Sequence, residues 1–207
     1  MLKLYAWLLL FIILPGVSIA QSAKTNPKTP PSAVFVQIRT GANRLKYYRE
    51  YSAGEKKIEA LKIDITKIME RTLSDFNTNF SFCPVYYFYD TNWHKVVERS
   101  FEGVLLDKEL KPLQDVSAFA QDTTYFILNY GGDASIGGRK RPSVLASDFH
   151  GRLLEKPLPV APSNDMVDKY REDFWKYRYV SRDSYLEYRG YAKAYSETLS
   201  NYYKSGK

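Results

Sequence analysis

The sequence has almost none of the residues from which disulfide bridges and metal sites are built. Its 207 residues include one cysteine, Cys83, and two histidines, His94 and His150. A single thiol leaves no disulfide within the chain. Two histidines far apart in sequence, with no cysteine cluster, disfavour a zinc site. We therefore predict no disulfide and no metal centre, and we interpret Cys83 as a small apolar residue of the core.

Sequence motifs of several enzyme classes are also missing. The chain has no Gly-x-Ser-x-Gly turn of the kind that presents a nucleophilic serine. It has neither a Gly-x-x-x-x-Gly-Lys-Ser/Thr loop nor a Gly-x-Gly-x-x-Gly loop after its first apolar run. We therefore expect no cofactor, and an enzymatic function stays uncertain and without support from any motif.

The charge balance is only mildly basic. The formal net charge is +7, and residues of both signs alternate along most of the chain. A nucleic-acid-binding protein would be expected to gather its positive charge on one face. A nucleic acid is therefore an unlikely partner, although weak steering toward an anionic polymer remains open.

The amino terminus has the features of a secretory signal peptide. Lys3 is followed by an apolar run over residues 4–17 and by the small residues Ser18 and Ala20. An uncleaved anchor is the alternative, but the run is shorter than the roughly 20 residues that a membrane span needs. We predict a signal peptide over residues 1–20 and export to the periplasm or the extracellular space. No transmembrane segment is expected after cleavage.

Two apolar runs on either side of an amphipathic segment predict a βαβ unit. Residues 33–39 and 83–90 are typical of buried strands. Between them, apolar residues recur at steps of three and four from Ile58 to Phe76, which predicts a helix that ends at residues 77–79. A right-handed crossover would place the two strands side by side and parallel. Residues 43–52 are compatible with a short helix or a packed loop.

The next part of the domain predicts more strands. A short helix is expected after residue 92, a brief strand at 103–107, and a buried strand at 123–130 that ends at two glycines. Residues 134–141, which contain further glycines, are expected to form a mobile loop.

A C-terminal hairpin and the domain limits complete the predicted fold. Residues 143–147 and 152–156 flank a predicted four-residue turn. The predicted class is α/β, with a single domain over residues 33–162 that holds a mixed, mainly parallel sheet. A proline-rich tether over residues 21–32 precedes the domain.

The last part of the chain, residues 163–207, is rich in tyrosine, with nine of the eighteen. Ser184 and Glu187 fit a capping box at a helix start. From there apolar and aromatic residues step by three and four, at Tyr185, Tyr188, Ala192, Tyr195, Leu199 and Tyr202. We predict amphipathic helices that pack on the domain. The alternative is that they bind a partner protein.

One stretch is similar to a known family. The segment from Pro142 to Leu153, followed by a C-terminal helix, resembles the proline-led hairpin that closes thioredoxin-like domains. The strand before Asp90 and Trp93 at the next helix start fit the corresponding positions. The resemblance implies a thioredoxin-like arrangement. The Cys-x-x-Cys pair of that family is absent, so the domain would be inactive in thiol–disulfide exchange.

Candidate site residues follow from the predicted strand ends, because parallel sheets bind ligands at their carboxyl edge. Weak catalytic candidates are Asp90 and His94, which could act as acid or base. Candidate ligand-binding residues are Arg39, Thr91, Asn92, Asn129 and Tyr130, and a candidate anion-binding loop holds Arg139, Lys140 and Arg141.

These observations favour a secreted or periplasmic, non-enzymatic binding or interaction module. The first alternative is a hydrolase or transferase that uses Asp90 and His94. A second alternative is a redox-inactive thioredoxin-like domain. A third is binding of an acidic polysaccharide or nucleic acid at residues 139–141, which requires that loop to lie in a basic patch.

Overall fold

A computed structural model describes residues 27–51, 54–136, 139–155, 158 and 191–205, with residues 130–144 described by their backbone alone. The predicted signal peptide and the predicted helix start at Ser184, with Tyr185 and Tyr188, lie outside the described residues. Of the predicted tether, residues 27–32 are described. They contact the rest of the domain, since the Tyr203 hydroxyl donates to the Pro27 carbonyl at 3.2 Å.

The centre of the fold is one four-stranded sheet. Its strands are β1 (Val34–Ile38), β2 (Val85–Tyr89), β3 (Phe126–Ile136) and β4 (Arg139–Ser147). Their spatial order is β2-β1-β3-β4. Strand β1 pairs in parallel with both β2 and β3, whereas β4 is antiparallel to β3. The predicted α/β class and the mixed, mainly parallel sheet are confirmed.

Five helices accompany these strands in the described part of the chain. They are α1 (Ala42–Glu50), α2 (Glu55–Asn79), α3 (Trp93–Val97), α4 (Ser117–Gln121) and α5 (Tyr191–Lys204). Helix α2 is the connection between the parallel neighbours β1 and β2, so the predicted βαβ unit is present and its helix ends where predicted. Residues 42–50 take the helical alternative. The sequence reasoning did not predict α4.

Strand alternation sends side chains to two faces of the sheet, and both faces are buried. On the first face, β1 contributes Val34, Val36 and Ile38 to a core that includes α2 and α5. On the second face, Phe35 and Ile127 join a core built from α3 and the chain between residues 101 and 125. Because helices or loops cover both faces, β1 and β2 consist mostly of apolar and aromatic residues, which is what made them recognisable in the sequence.

Helix α5 is part of the first-face core. Ala192, Tyr195 and Leu199 are fully buried against this domain. The carboxylate of Asp75 in α2 accepts a hydrogen bond from the Ala192 backbone N–H at 3.2 Å. The apolar stripe of α5 is therefore occupied within the chain. A partner protein that binds the C-terminal region stays a prediction.

The predicted loop at residues 134–141 is wrong. Arg139, Lys140 and Arg141 begin β4 and pair with Ile136, Ser135 and Ala134 of β3. The two glycines that suggested an end to β3 lie within the strand, next to an irregularity in the register between Tyr130 and Gly132. Glycine in a strand often marks such a bulge rather than a terminus.

Two other predicted strands are reduced to isolated bridges. Leu106 exchanges backbone hydrogen bonds with Tyr87, but the chain turns at once, since the Asp107 carboxylate accepts from two backbone N–H groups of its own turn. Leu153 forms a bridge with Ser147 after the predicted turn, so only this residue of the second hairpin arm pairs as a strand.

Pro142 lies inside β4, opposite Asp133, rather than ahead of a hairpin. It is tolerated there because β4 is at the edge of the four-stranded sheet.

Among the helices in the described ranges, none is both long enough and apolar enough to cross a membrane.

Candidate functional site

The carboxyl ends of β1 and β2 are joined by Asp90. The Thr40 backbone N–H and the Thr40 hydroxyl both donate to the same Asp90 oxygen, Oδ1, at 3.1 Å and 2.6 Å. The strand partners Ile38 and Tyr89 place these residues side by side. The sequence predicted this proximity correctly. The bonds give Asp90 a structural role, because it closes the ends of two strands.

The other predicted residues near Asp90 occupy the turn and the short helix that follow it. Thr91 and Asn92 are in a 3-10 turn, where Thr91 is exposed and Asn92 half-buried. His94 is exposed in α3, and within the described part of the chain no hydrogen bond or ion pair joins it to Asp90. Arg39 is half-buried directly after β1. The structure therefore gathers these residues along one edge without building an acid–base pair from them.

A second polar group lies on the second face, directly after the last register pair of β1 and β3, Val36 and Leu128. Phe35 and Ile127 are register partners in the parallel ladder. Gln37 and Asn129 each lie two residues further along, so alternation directs both amide side chains to the same face. Gln37 is only 8% exposed. We call these two residues the strand-end amide pair.

Asn129 has a buried acceptor that lacks a donor. Its side-chain oxygen Oδ1 is shielded from solvent and accepts no hydrogen bond within the described part of the chain. A buried polar group without a partner costs roughly 1–3 kcal/mol. Native structures keep few such groups, and each one requires an explanation such as a ligand or an ordered water.

The position of the amide pair is where open sheets of this kind bind ligands. From β1 the chain crosses to β2 on one side, and it then returns to β3 on the other side of β1. The gap between β1 and β3 is thus a point where the direction of strand addition reverses, and ligands of open α/β sheets bind at the carboxyl ends of strands at such points.

The sequence reasoning named Asn129 but missed Gln37. The available signal was a single polar residue inside the apolar run of β1, at a position that alternation assigns to a buried face. Tyr130 follows in β3, opposite Val144. For Tyr130 and for Arg139, Lys140 and Arg141, the side chains lie outside the described residues, so their predicted binding roles stay predictions.

The single thiol has the properties of a core residue. Cys83 packs against the first-face core, and burial raises its pKa from 9.0 to about 12. A thiol of this kind is protonated at neutral pH and is a poor nucleophile. Elsewhere in the described ranges, no group of three or more His, Cys, Asp or Glu side chains is placed to hold a metal ion.

No family model, curated protein or solved structure matches the chain.

Proposed function

We propose that the protein is an exported binding module that holds a small polar ligand at the strand-end amide pair. The observation that carries this proposal is the buried, unpartnered Oδ1 of Asn129, directly after the point where the parallel pairing of β1 and β3 ends. An acceptor in this state favours a ligand that brings an N–H or O–H donor. Gln37, the neighbouring amide, can both donate and accept.

Binding is favoured over catalysis because of how the reactive side chains are used. Asp90, the first candidate for acid–base work, has Oδ1 engaged by two donors of Thr40. Cys83 is a protonated core thiol. An active site would need a base placed within hydrogen-bonding reach of a second reactive group, and in the described part of the chain Asp90 and His94 are not joined in this way.

A direct binding test compares probes that differ in their donors. The probes are glucose, which has hydroxyl donors, ethanolamine, which has hydroxyl and amine donors, and trimethylamine N-oxide, which only accepts. At about 10 mM, which detects dissociation constants near 1 mM or roughly −4 kcal/mol, we expect the side-chain amide NMR signals of Gln37 and Asn129 to move with a donor probe only. If neither donor probe moves them, or if the acceptor moves them equally, the proposal is wrong.

A stability test needs no ligand. Replacing Asn129 with Leu removes an acceptor that has no partner, so we expect the free energy of unfolding to rise by about 1 kcal/mol while donor-probe binding is lost. The matched control is Asn77→Leu. Asn77 accepts from the buried Tyr87 hydroxyl at 2.8 Å, so its loss should cost roughly 1–3 kcal/mol. If Asn129→Leu is as destabilising as the control, Asn129 has a structural partner and the site is not a ligand site.

The export part of the proposal rests on the signal-peptide features of residues 1–20. Expression of the full chain in a secreting host should give a product outside the cytoplasm whose amino-terminal sequence begins at Gln21. A product that keeps Met1 and stays with the cells would contradict export, and it would leave the binding tests unaffected.

A further inference from the structure

Helix α1 and the residue after it expose a pair of neighbouring aromatic rings. Tyr47 is 55% exposed and Tyr51 is 69% exposed. Their ring centroids are 4.5 Å apart and their planes are tilted by 34°. They are two of only four large hydrophobic side chains that are exposed in the described part of the chain. Single exposed apolar residues are ordinary, but two in contact with each other form a surface patch.

The two rings are not needed to bury α1. None of the nine residues of the helix is buried, Leu45 and Tyr48 are half-buried, and Gly41 at the start of the helix closely approaches Ile65 of α2. A Cβ at Gly41 would lie 2.2 Å from the Ile65 side chain, so glycine sets how closely α1 approaches α2. The outer tyrosines are free to serve another purpose.

Positive charge accompanies the two rings. Arg44 lies three residues before Tyr47 and seven before Tyr51, so all three side chains project from one side of the helix. We call Arg44, Tyr47 and Tyr51 the outer face of α1. Arg49 is also exposed but, at two residues from each ring, points to another side of the helix, and the Lys46 ammonium is paired with Glu50 at 3.8 Å. The surface is therefore aromatic and modestly basic.

We infer that the outer face of α1 binds a carboxylated polysaccharide chain. Sugar rings present flat C–H faces that pack on aromatic rings such as those of Tyr47 and Tyr51. The guanidinium of Arg44 matches a carboxylate through two parallel hydrogen bonds. This surface is separate from the strand-end amide pair and does not depend on the function proposed for that pair.

Other anionic partners fit the outer face less well. A nucleic acid carries about one charge per 1.7 Å of duplex, which calls for more cations than one short helix supplies. A membrane surface requires an aliphatic face, and the outer face of α1 contains no aliphatic residue. A folded protein partner requires about 800 Å² of surface, whereas two rings and one arginine form a narrow strip that suits a flexible chain.

The test measures binding of polygalacturonate, which has one carboxylate per sugar, by calorimetry at low salt. We expect binding that weakens as salt is added, because exposed ion pairs are screened. Removing both rings in a Tyr47→Gln and Tyr51→Gln double variant should weaken it by about tenfold. Arg44→Gln should weaken it by about threefold. Glutamine supports a helix well, and circular dichroism verifies that each variant keeps its fold.

Matched controls separate the outer face from general charge and exposure. Lys95→Gln removes an exposed cation from α3, and Leu153→Ala removes a side chain that is 50% exposed. Both should leave polygalacturonate binding unchanged. Dextran, a neutral sugar polymer, should bind more weakly.

Four results would overturn the inference. The first is no binding of polygalacturonate, and the second is equal binding by the double variant. The third is polyglutamate binding as tight as that of polygalacturonate, which would mean that charge alone is recognised. The fourth is tighter binding of single-stranded oligothymidylate or of phosphatidylglycerol vesicles, which would assign the surface to nucleic acid or to membrane.

Discussion

The two faces of the central sheet bury apolar side chains equally well but differ in how they treat polar groups. On the first face, buried polar groups are paired across elements. The Tyr87 hydroxyl donates to Asn77, and Asp75 accepts from the backbone of Ala192. The one exception among the described residues is the Tyr195 hydroxyl, which is buried without a partner.

The second face holds most of the unpaired atoms. Of the four buried polar side-chain atoms without partners in the described part of the chain, three belong to this side of the sheet: Arg99 Nε, the Tyr125 hydroxyl and Asn129 Oδ1. The elements on this side are short, and the Arg99 guanidinium donates to the backbone carbonyls of Phe119, Ala120 and Asp122 at the end of α4. Long helices hold their side chains in position to form hydrogen bonds with neighbouring elements. A face covered by short segments leaves more of its polar atoms without hydrogen-bond partners. The second face is therefore where the fold has polar groups available for a ligand.

The largest expected effect tests whether the two cores are equivalent. Leu128 on the first face and Leu105 on the second are both fully buried. Replacing either with Ala should lower the free energy of unfolding by about 2–5 kcal/mol, because each change leaves a cavity. Chemical denaturation measures both values. A loss below about 1 kcal/mol for Leu105→Ala would show that the second face collapses around the cavity and is not a rigid core.

A matched pair of tyrosines tests the difference in polar groups. Tyr87 and Tyr125 are both fully buried, but only the Tyr87 hydroxyl is hydrogen-bonded. Tyr87→Phe should cost about 0.5–1.5 kcal/mol, whereas Tyr125→Phe should be neutral or stabilising because it removes a polar atom that lacks a partner. Equal losses in the two variants would mean that an internal water completes the second face.

The sequence predicted the parts of this fold that depend on local pattern. Strands β1 and β2 could be predicted from their own residues, because a strand that is buried on both faces is a continuous apolar run. Helix α2 could be predicted in the same way, because its apolar residues recur with a period of 3.6. The extension of β3 through Gly131 and Gly132 could not be predicted in this way. It depends on cross-strand pairing with β4, which the pattern of residues along β3 alone does not show.

The candidate site was predicted in position but not in chemistry. Asp90 was the most conspicuous polar residue at a strand end, yet Thr40 engages it, and this depends on the register of two strands. Gln37 was overlooked because it lies inside an apolar strand. Which polar groups remain without a partner is decided by the packing of α3 and the loops, and no sequence pattern records it.

Alkaline pH should lower the free energy of unfolding through Cys83, which packs against the first-face core. Burial raises the pKa of this thiol from 9.0 to about 12. The folded state therefore keeps its proton where the unfolded state loses it, so the stabilisation is complete below pH 9 and is lost as pH rises toward 12. Between pH 8 and pH 10, the free energy of unfolding of the wild-type protein should fall by about 1 kcal/mol more than that of Cys83→Ala. If both proteins lost the same free energy of unfolding, the thiol would be exposed to solvent. A thiol reagent would then label the native protein at once.

The smallest effect concerns Asp122, which directly follows α4 and lies four residues before β3. Burial alone would raise the pKa of this carboxyl, but hydrogen bonds from Ser32 and Thr124 outweigh it, and the pKa lies below its usual 3.8. A lowered pKa stabilises the fold at pH values above the pKa of the unfolded state. This stabilisation is lost as pH falls through the pKa of the folded state. Because the group is partly exposed, Asp122→Asn should cost less than about 1 kcal/mol at pH 7. The difference in stability between wild type and variant should shrink as pH falls below 3.8 and should vanish below the pKa of the folded state. A difference that persists there would show that the amide fails to replace the carboxylate as an acceptor. In that case the link between Ser32 and the second face would depend on hydrogen-bond geometry rather than on charge.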